Sequence, residues 1–337
     1  MIKKVRWGVL GAANIAIKKV IPSMQTGENC EITAIASRDF EKAKQAAKAL
    51  NIPKFYGYYE DLLADSDIEA IYIPLPNHLH LEWSIKAATA GKHVLCEKPL
   101  GLNAAEVRRL IEIRDKTGVK IQEAFMVRSH PQWLAVRDLI KSGKIGHLQA
   151  INCFFSYFNV DKSNIRNKIE TGGGALTDIG CYCINISRFI FEDEPKRVVS
   201  LIEKDAETGI DKLTSAMLDF SCGQATFTCS TQIVPYQRFQ FLGTKGRIEV
   251  EIPVNTPTDT PTRIYIDDGA DLYGENIDTI KFEAANQFTI QGDLFSQSIL
   301  ENTDQTLSLE DSFKNMAVID AVFRSAETGN WESPEVL

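Results

Sequence analysis

No stretch of the chain approaches the ~18 consecutive apolar residues of a membrane span, so no membrane-crossing helix is expected. The opening MIKKVRWGVLG has basic residues before an apolar run, but that run is too short for a signal h-region. Excess positive charge is lacking too. A formal net charge of -8 argues against nucleic acid or an anionic membrane as the main partner. C-x-x-C spacing is absent among Cys30, Cys96, Cys153, Cys181, Cys183, Cys222 and Cys229, which are odd in number and mostly lie in apolar runs. Free thiols in a reducing cytoplasm are the expectation. His78-x-His80 has no third ligand at useful spacing, and His93, His130 and His147 are scattered, so no metal is expected. No repeat is found, and only 253–262, with Pro253, Pro257 and Pro261, reads as a plain connecting loop.

What is present is length and rhythm. At 337 residues the chain exceeds what one core usually serves, which favours two domains. Through about residue 123, the apolar runs VRWGVLG, EITAIAS, EAIYIPL, HVLCE and KIQEAF alternate with stretches repeating at three and four. That predicts an α/β domain over 1–123 with a doubly wound parallel sheet. In 124–337 a helix around Trp133, Val136 and Ile140 precedes runs near 148–158, 198–204, 214–220, 224–231, 237–243 and 246–252, joined by short turns. This predicts an α+β domain with a mostly antiparallel sheet. Helices are expected around Phe288–Ile299 and, from the capping pattern Ser308-x-x-Asp311, to a stop at Gly329.

The first strand runs into Gly11-Ala12-Ala13-Asn14-Ile15-Ala16, a G-x-G-x-x-G fingerprint with alanine in the second and third glycine places. Gly11 would make the tight turn, Ala13 would let a pyrophosphate approach the helix N-terminus, and Ala16 would keep the helix near the sheet. At the end of the second strand, Ser37 and Arg38 stand where an acidic residue would select NAD, which favours the 2′-phosphate of NADP; Asp39 fits a helix N-cap. The strand HVLCEKP carries Lys98 to the sheet's C-terminal edge, and Pro99 ends it. Further on, Gly172–Gly174 are expected to allow close backbone approach to a cofactor. Asp178 and Tyr182 follow one helical turn apart.

Together, GVLGAANIA at 8–16, PLPNHLH at 74–80, CEKPL at 96–100 and NIRNKIETGGGALTDIGCY at 164–182 resemble the Gfo/Idh/MocA oxidoreductases over nearly the whole chain. The last block is most similar to the xylose-type sugar dehydrogenase and dihydrodiol dehydrogenase branch. The resemblance implies a Rossmann domain followed by a domain with a large open sheet, and NADP-dependent oxidation of a carbohydrate-like hydroxyl. NAD is the less favoured alternative. It implies cofactor contacts at Gly11, Ala12, Ala13, Asn14, Ile15, Ser37, Arg38, Pro74, Leu75, Asn77, His80, Glu97, Lys98 and Arg166. His78 belongs to the same nicotinamide-side stretch, and Ile165 precedes Arg166 where relatives carry tryptophan. Lys98 is implied to be catalytic, with Asp178 and Tyr182 in the substrate pocket. Tyr182 is assigned as proton acceptor with Lys98 lowering its pKa; the reverse, Lys98 as base, is the alternative. Few residues precede the first strand, so an exchangeable cofactor is expected. A homodimer or dimer of dimers is expected on the open sheet face. A non-catalytic NADP-binding sensor is the reading of a different class.

Overall fold

The computed structural model describes residues 3–337. Two compact units form, one from residues 1–126 and 286–313, the other from 127–285 and 314–337. The change of rhythm along the sequence predicts a single cut after residue 123, whereas the chain returns to the first unit near its end. Trp7 supplies a physical reason, since its buried indole donates to Ser296 Oγ at 3.0 Å and its ring lies 5.7 Å from that of Phe295. Asp293 on the same helix, Gln287–Glu301, accepts the backbone N–H groups of Glu28 and Asn29.

The first unit is built on a six-stranded sheet of β1 (Val5–Leu10), β2 (Cys30–Ala36), β3 (Lys54–Tyr56), β4 (Ala70–Ile73), β5 (His93–Cys96) and β6 (Ile121–Glu123). All its pairs are parallel, in the order β3-β2-β1-β4-β5-β6. The strands are nearly continuous in burial because both faces are covered. Strand order reverses between β1 and β4, the place at which doubly wound folds open a crevice beyond the strand ends. The short β3 escaped the sequence reading because KFY offers no apolar run.

The second unit carries β7 (Leu148–Phe158), β8 (Arg197–Lys204), β9 (Asp211–Phe220), β10 (Gly223–Ser230), β11 (Gln232–Gly243), β12 (Arg247–Val250), β13 (Thr262–Asp267) and β14 (Asp278–Phe282). Their order is β14-β13-β12-β11-β7-β10-β9-β8, and every pair is antiparallel except β7 with β10. Alternation sends Ile151, Cys153, Phe155, Ala225, Phe227, Phe239 and Phe241 inward. Trp133, from the helix Pro131–Lys141, packs on Phe239 and Phe241 at ring distances of 5.8 and 5.9 Å. Strands β13 and β14 were not anticipated. Among the described residues no helix is long and apolar enough to cross a membrane.

Candidate active site

At the end of β1, Gly11 adopts φ +113, a conformation that side-chain-bearing residues rarely adopt, while its N–H donates to Ala36 O at 2.8 Å. A Cβ there would stand 2.9 Å from Leu75 Cδ2 and 3.9 Å from the Tyr59 hydroxyl. The turn beyond β1 is thus pressed against the turn beyond β4. Ala12 and Ala16 are buried, Asn14 is exposed, and the helix that follows winds as a π segment over Ala16–Val20 before Ile21–Gln25. Ser37 is buried and its hydroxyl accepts the Asp39 N–H at 3.2 Å. Asp39 in turn caps the helix Phe40–Ala49 by accepting from Lys42 N–H, so the acidic group nearest the end of β2 is already engaged. Arg38 is exposed beside Tyr59, whose phenol is raised by burial and drawn back by that guanidinium.

The turn carrying Lys98 is held from three sides within the same unit. Tyr72 donates its hydroxyl to Glu97 Oε1 at 2.6 Å, the Leu100 N–H donates to Glu123 Oε1 at 2.9 Å, and His80 Nδ1 lies 2.7 Å from Pro99 O. The Lys98-Pro99 peptide bond is cis. Lys98 itself is half-buried. His80 Nε2 lies 2.7 Å from Leu75 O, and the ring is 0 % exposed. Both nitrogens therefore face backbone carbonyls. Burial pulls the ring down to about 4, against the two carbonyls and with help from the Lys98 charge.

In the second unit, Asp178 lies in a π-wound segment, Leu176–Gly180, that runs directly into the helix Cys181–Phe191. Its Oδ2 accepts from the Tyr157 hydroxyl at 2.6 Å and from Arg166 Nε at 3.0 Å. Two donors on one oxygen fix the orientation of the carboxylate. Tyr182 is buried, its ring 6.2 Å from that of Phe155. π segments inserted in α-helices recur at functional sites. Ahead of this helix, Gly173 N–H donates to Lys168 O at 3.0 Å and Gly174 N–H to Arg166 O at 2.9 Å, and a Cβ on Gly173 would stand 2.4 Å from Arg166 O. Gly173 thus makes its close approach to the protein's own backbone, and Gly174 makes one to the Asp211 carboxylate.

Residues 5–125 match the profile of an oxidoreductase family with an NAD-binding Rossmann fold, and residues 133–249 match the C-terminal domain of the same Gfo/Idh/MocA group. The chain belongs to the Gfo/Idh/MocA oxidoreductase family. An uncharacterized oxidoreductase from Rhizobium meliloti is 46% identical over 98% of this chain and 99% of its own. The D-xylose 1-dehydrogenase (NADP(+)) 2 of Haloferax volcanii is 35% identical over 96% of this chain and 98% of its own. Among solved structures, a 3-ketoreductase from Actinomadura kijaniata in complex with NADP and TDP-benzene superposes with a TM-score of 0.89 at 28% identity, covering 96% of this chain and 98% of that one.

For this Gfo/Idh/MocA chain, one expectation needs correction. His80 is expected as a cofactor contact, yet its ring is enclosed with both nitrogens at carbonyls, so its side chain holds up the Lys98 turn. Arg166, expected at the cofactor, has its Nε on Asp178. Gly11 and Leu75 do come together, as do Asp178 and Arg166; Pro74 is buried and Asn77 half-buried. Tyr157, Tyr72, Glu123 and Asp211 are invisible to sequence reasoning, since an aromatic or acid within a strand pattern carries no local signal. The enclosed His80 yields a pH prediction. A ring whose folded value lies near 4, against 6.5 unfolded, gives stability present above pH 6.5 and lost as pH falls toward 4. That linkage is worth about 3 kcal/mol. Side-chain NMR should find His80 neutral down to about pH 4, and His80→Gln should flatten the acid-side fall in denaturation free energy. A ring already charged at neutral pH would mean that the two carbonyls outweigh burial.

Proposed function

We propose that the protein is an NADP(H)-dependent dehydrogenase that moves hydride between nicotinamide and a hydroxyl or carbonyl carbon of a sugar or related polyol, of the D-xylose or glucose 1-dehydrogenase kind. The observation that carries this reading is Asp178, oriented by Tyr157 and Arg166 four residues ahead of the buried Tyr182. A fixed carboxylate suits a hydroxyl-rich substrate, which it positions by accepting a hydrogen bond. The named activity of the Haloferax volcanii relative supports the substrate class.

The first unit fits the cofactor. Gly11 makes the tight turn a pyrophosphate needs, and the exposed Arg38 suits a 2′-phosphate while Asp39 is spent on a helix cap. When bound, NADP(+) supplies the acceptor for the hydride leaving the carbinol carbon. The chain must then remove the hydroxyl proton. Tyr182 is the proposed proton acceptor and Lys98 the group that holds the substrate oxygen, with the reverse assignment as the alternative. A spectrophotometric screen of aldoses, polyols and dihydrodiols with NADP(+) tests the substrate class; no turnover of any of them would revive a binding-only sensor.

Arg38→Ala should weaken NADP(H) at least about tenfold and leave NAD(H) little changed, because a charge-assisted contact is worth roughly 1.5 to 3 kcal/mol. Equal weakening of both, read by fluorescence titration, would sink the 2′-phosphate assignment. Lys98→Met and Tyr182→Phe should each lower kcat by about 10² to 10⁴ while NADP(H) binding persists. Either variant turning over like the wild type would remove that residue from the mechanism.

Assembly follows from the sheet of the second unit. Its uncovered face carries Leu201, Ser215, Thr228, Phe154 and Arg238 in one row, with Val199, Met217, Tyr236 and Leu242 beside it. Leu201 is 80% exposed and Tyr236 49%. This mixture of apolar groups with hydroxyls suits a second copy of the chain, giving a homodimer or dimer of dimers. Light scattering at micromolar concentration should give at least twice the 37.6 kDa chain mass; a monomer mass would refute it.

A further inference from the structure

Asp211 opens β9 and is buried in the second unit, away from any ion pair that would account for it. Its Oδ2 accepts the Leu176 backbone N–H at 2.6 Å and the Thr214 hydroxyl at 3.1 Å. Its Oδ1 lies against Gly174, whose φ is +128 and where an added Cβ would stand only 1.8 Å from that oxygen. The backbone from Gly174 to Leu176 is thus seated on the carboxylate. From Leu176 the chain runs without interruption through Asp178 to Tyr182 and on to Phe191, so a shift at Leu176 is carried into both side chains. We propose that Asp211 is a positioning residue whose ionised carboxylate fixes the start of the helix bearing Asp178 and Tyr182, so that turnover follows its charge state. This rests on the roles assigned to Asp178 and Tyr182 above.

The physical basis is the strength of the hold. A hydrogen bond to an ionised acceptor is about twice as strong as a neutral one. Burial pushes the Asp211 carboxyl up to about 7, while the Leu176 N–H and the Thr214 hydroxyl pull the other way. The titratable group that feels this carboxyl is the Cys229 thiol from β10, which Cys181 and Asp178 of the helix also influence. Burial raises the Cys229 thiol well above its ordinary range, and Asp211 adds to that. The neighbouring Lys212 ammonium is bound to Glu203 of β8. Because the folded chain binds the Asp211 proton more tightly than the unfolded chain, ionisation lowers stability as pH rises toward 7. The better-positioned form is therefore the less stable one, and activity and stability should move in opposite directions across neutral pH.

The test compares wild type, Asp211→Asn and Thr214→Val, using D-xylose, or the best substrate of the screen above, with NADP(+). Wild-type kcat should rise as pH increases through about 7. Asp211→Asn, a mimic of the protonated state, should lose this limb and run roughly 10- to 100-fold slower at the alkaline end, with NADP(H) binding unchanged. Thr214→Val removes a donor to the charged form, so its limb should move to higher pH. A residue that merely filled space would give neither effect. Independently of turnover, amide-exchange protection over 176–182, corrected for intrinsic rates, should weaken in the wild type on acidification across neutrality and become insensitive to pH in Asp211→Asn. Wild-type turnover by Asp211→Asn at alkaline pH, or protection that ignores pH in the wild type, would overturn the proposal. If protection responds as expected while Tyr182→Phe turns over normally, the positioning role falls through the Tyr182 assignment and not through the hold itself. Should Asp211→Asn fail to fold, wild-type exchange and the Thr214→Val limb still decide.

Discussion

A carboxylate sealed into an apolar layer must find hydrogen-bond donors close by or give up its charge. Asp211 finds them in the backbone just ahead of a helix, and much of the second unit's local geometry follows from that contact. Gly174 has to be glycine because the carboxylate occupies the place of its side chain. Leu176 has a strong partner for its N–H from the outset, and the first helical residues wind as a π segment before settling into α geometry. Asp178 and Tyr182 are delivered from that start. Tyr157 of β7 and Arg166 from the preceding loop then fasten the Asp178 carboxylate, so its direction is set by three separate elements of one unit.

The first unit reaches a comparable end with different chemistry. There a strand has to stop and present a lysine at the sheet's edge, and proline alone does not settle where the turn goes. His80 beside Pro99 O, Glu123 on the Leu100 N–H and Tyr72 on Glu97 settle it. A histidine used in this way must stay out of water to hold its place. Its burial accounts both for its low affinity for a proton and for its lack of a nitrogen to offer a ligand.

Strand and helix identity was largely legible, because doubly wound strands are apolar throughout and their helices repeat at 3.6, and neither signal needs tertiary context. Caps were legible for the same reason. Asp39 accepts from Lys42 and Ser308 from the Asp311 N–H, each three residues on, as local rules dictate. The short β3 and β14 were not, since half-exposed strands of few residues have no distinctive pattern, and β13 follows directly on the proline-bearing stretch that reads as loop.

Local sequence was enough for the parallel sheet of the first unit, the mostly antiparallel sheet of the second, the Gly11 turn, the end of β5 just ahead of Lys98-Pro99 and the spacing of Asp178 to Tyr182. All of these are properties of neighbours along the chain. Tertiary structure alone decided that Arg166 belongs to Asp178, that His80 supports a turn, that the glycines at 173 and 174 make room for a carbonyl and a carboxylate, and that the helix Gln287–Glu301 returns to Trp7. Those contacts join residues from 7 to 289 positions apart. Hydrogen bonding over such separations depends on where folded strands and helices bring the atoms, and no local pattern of residues encodes that.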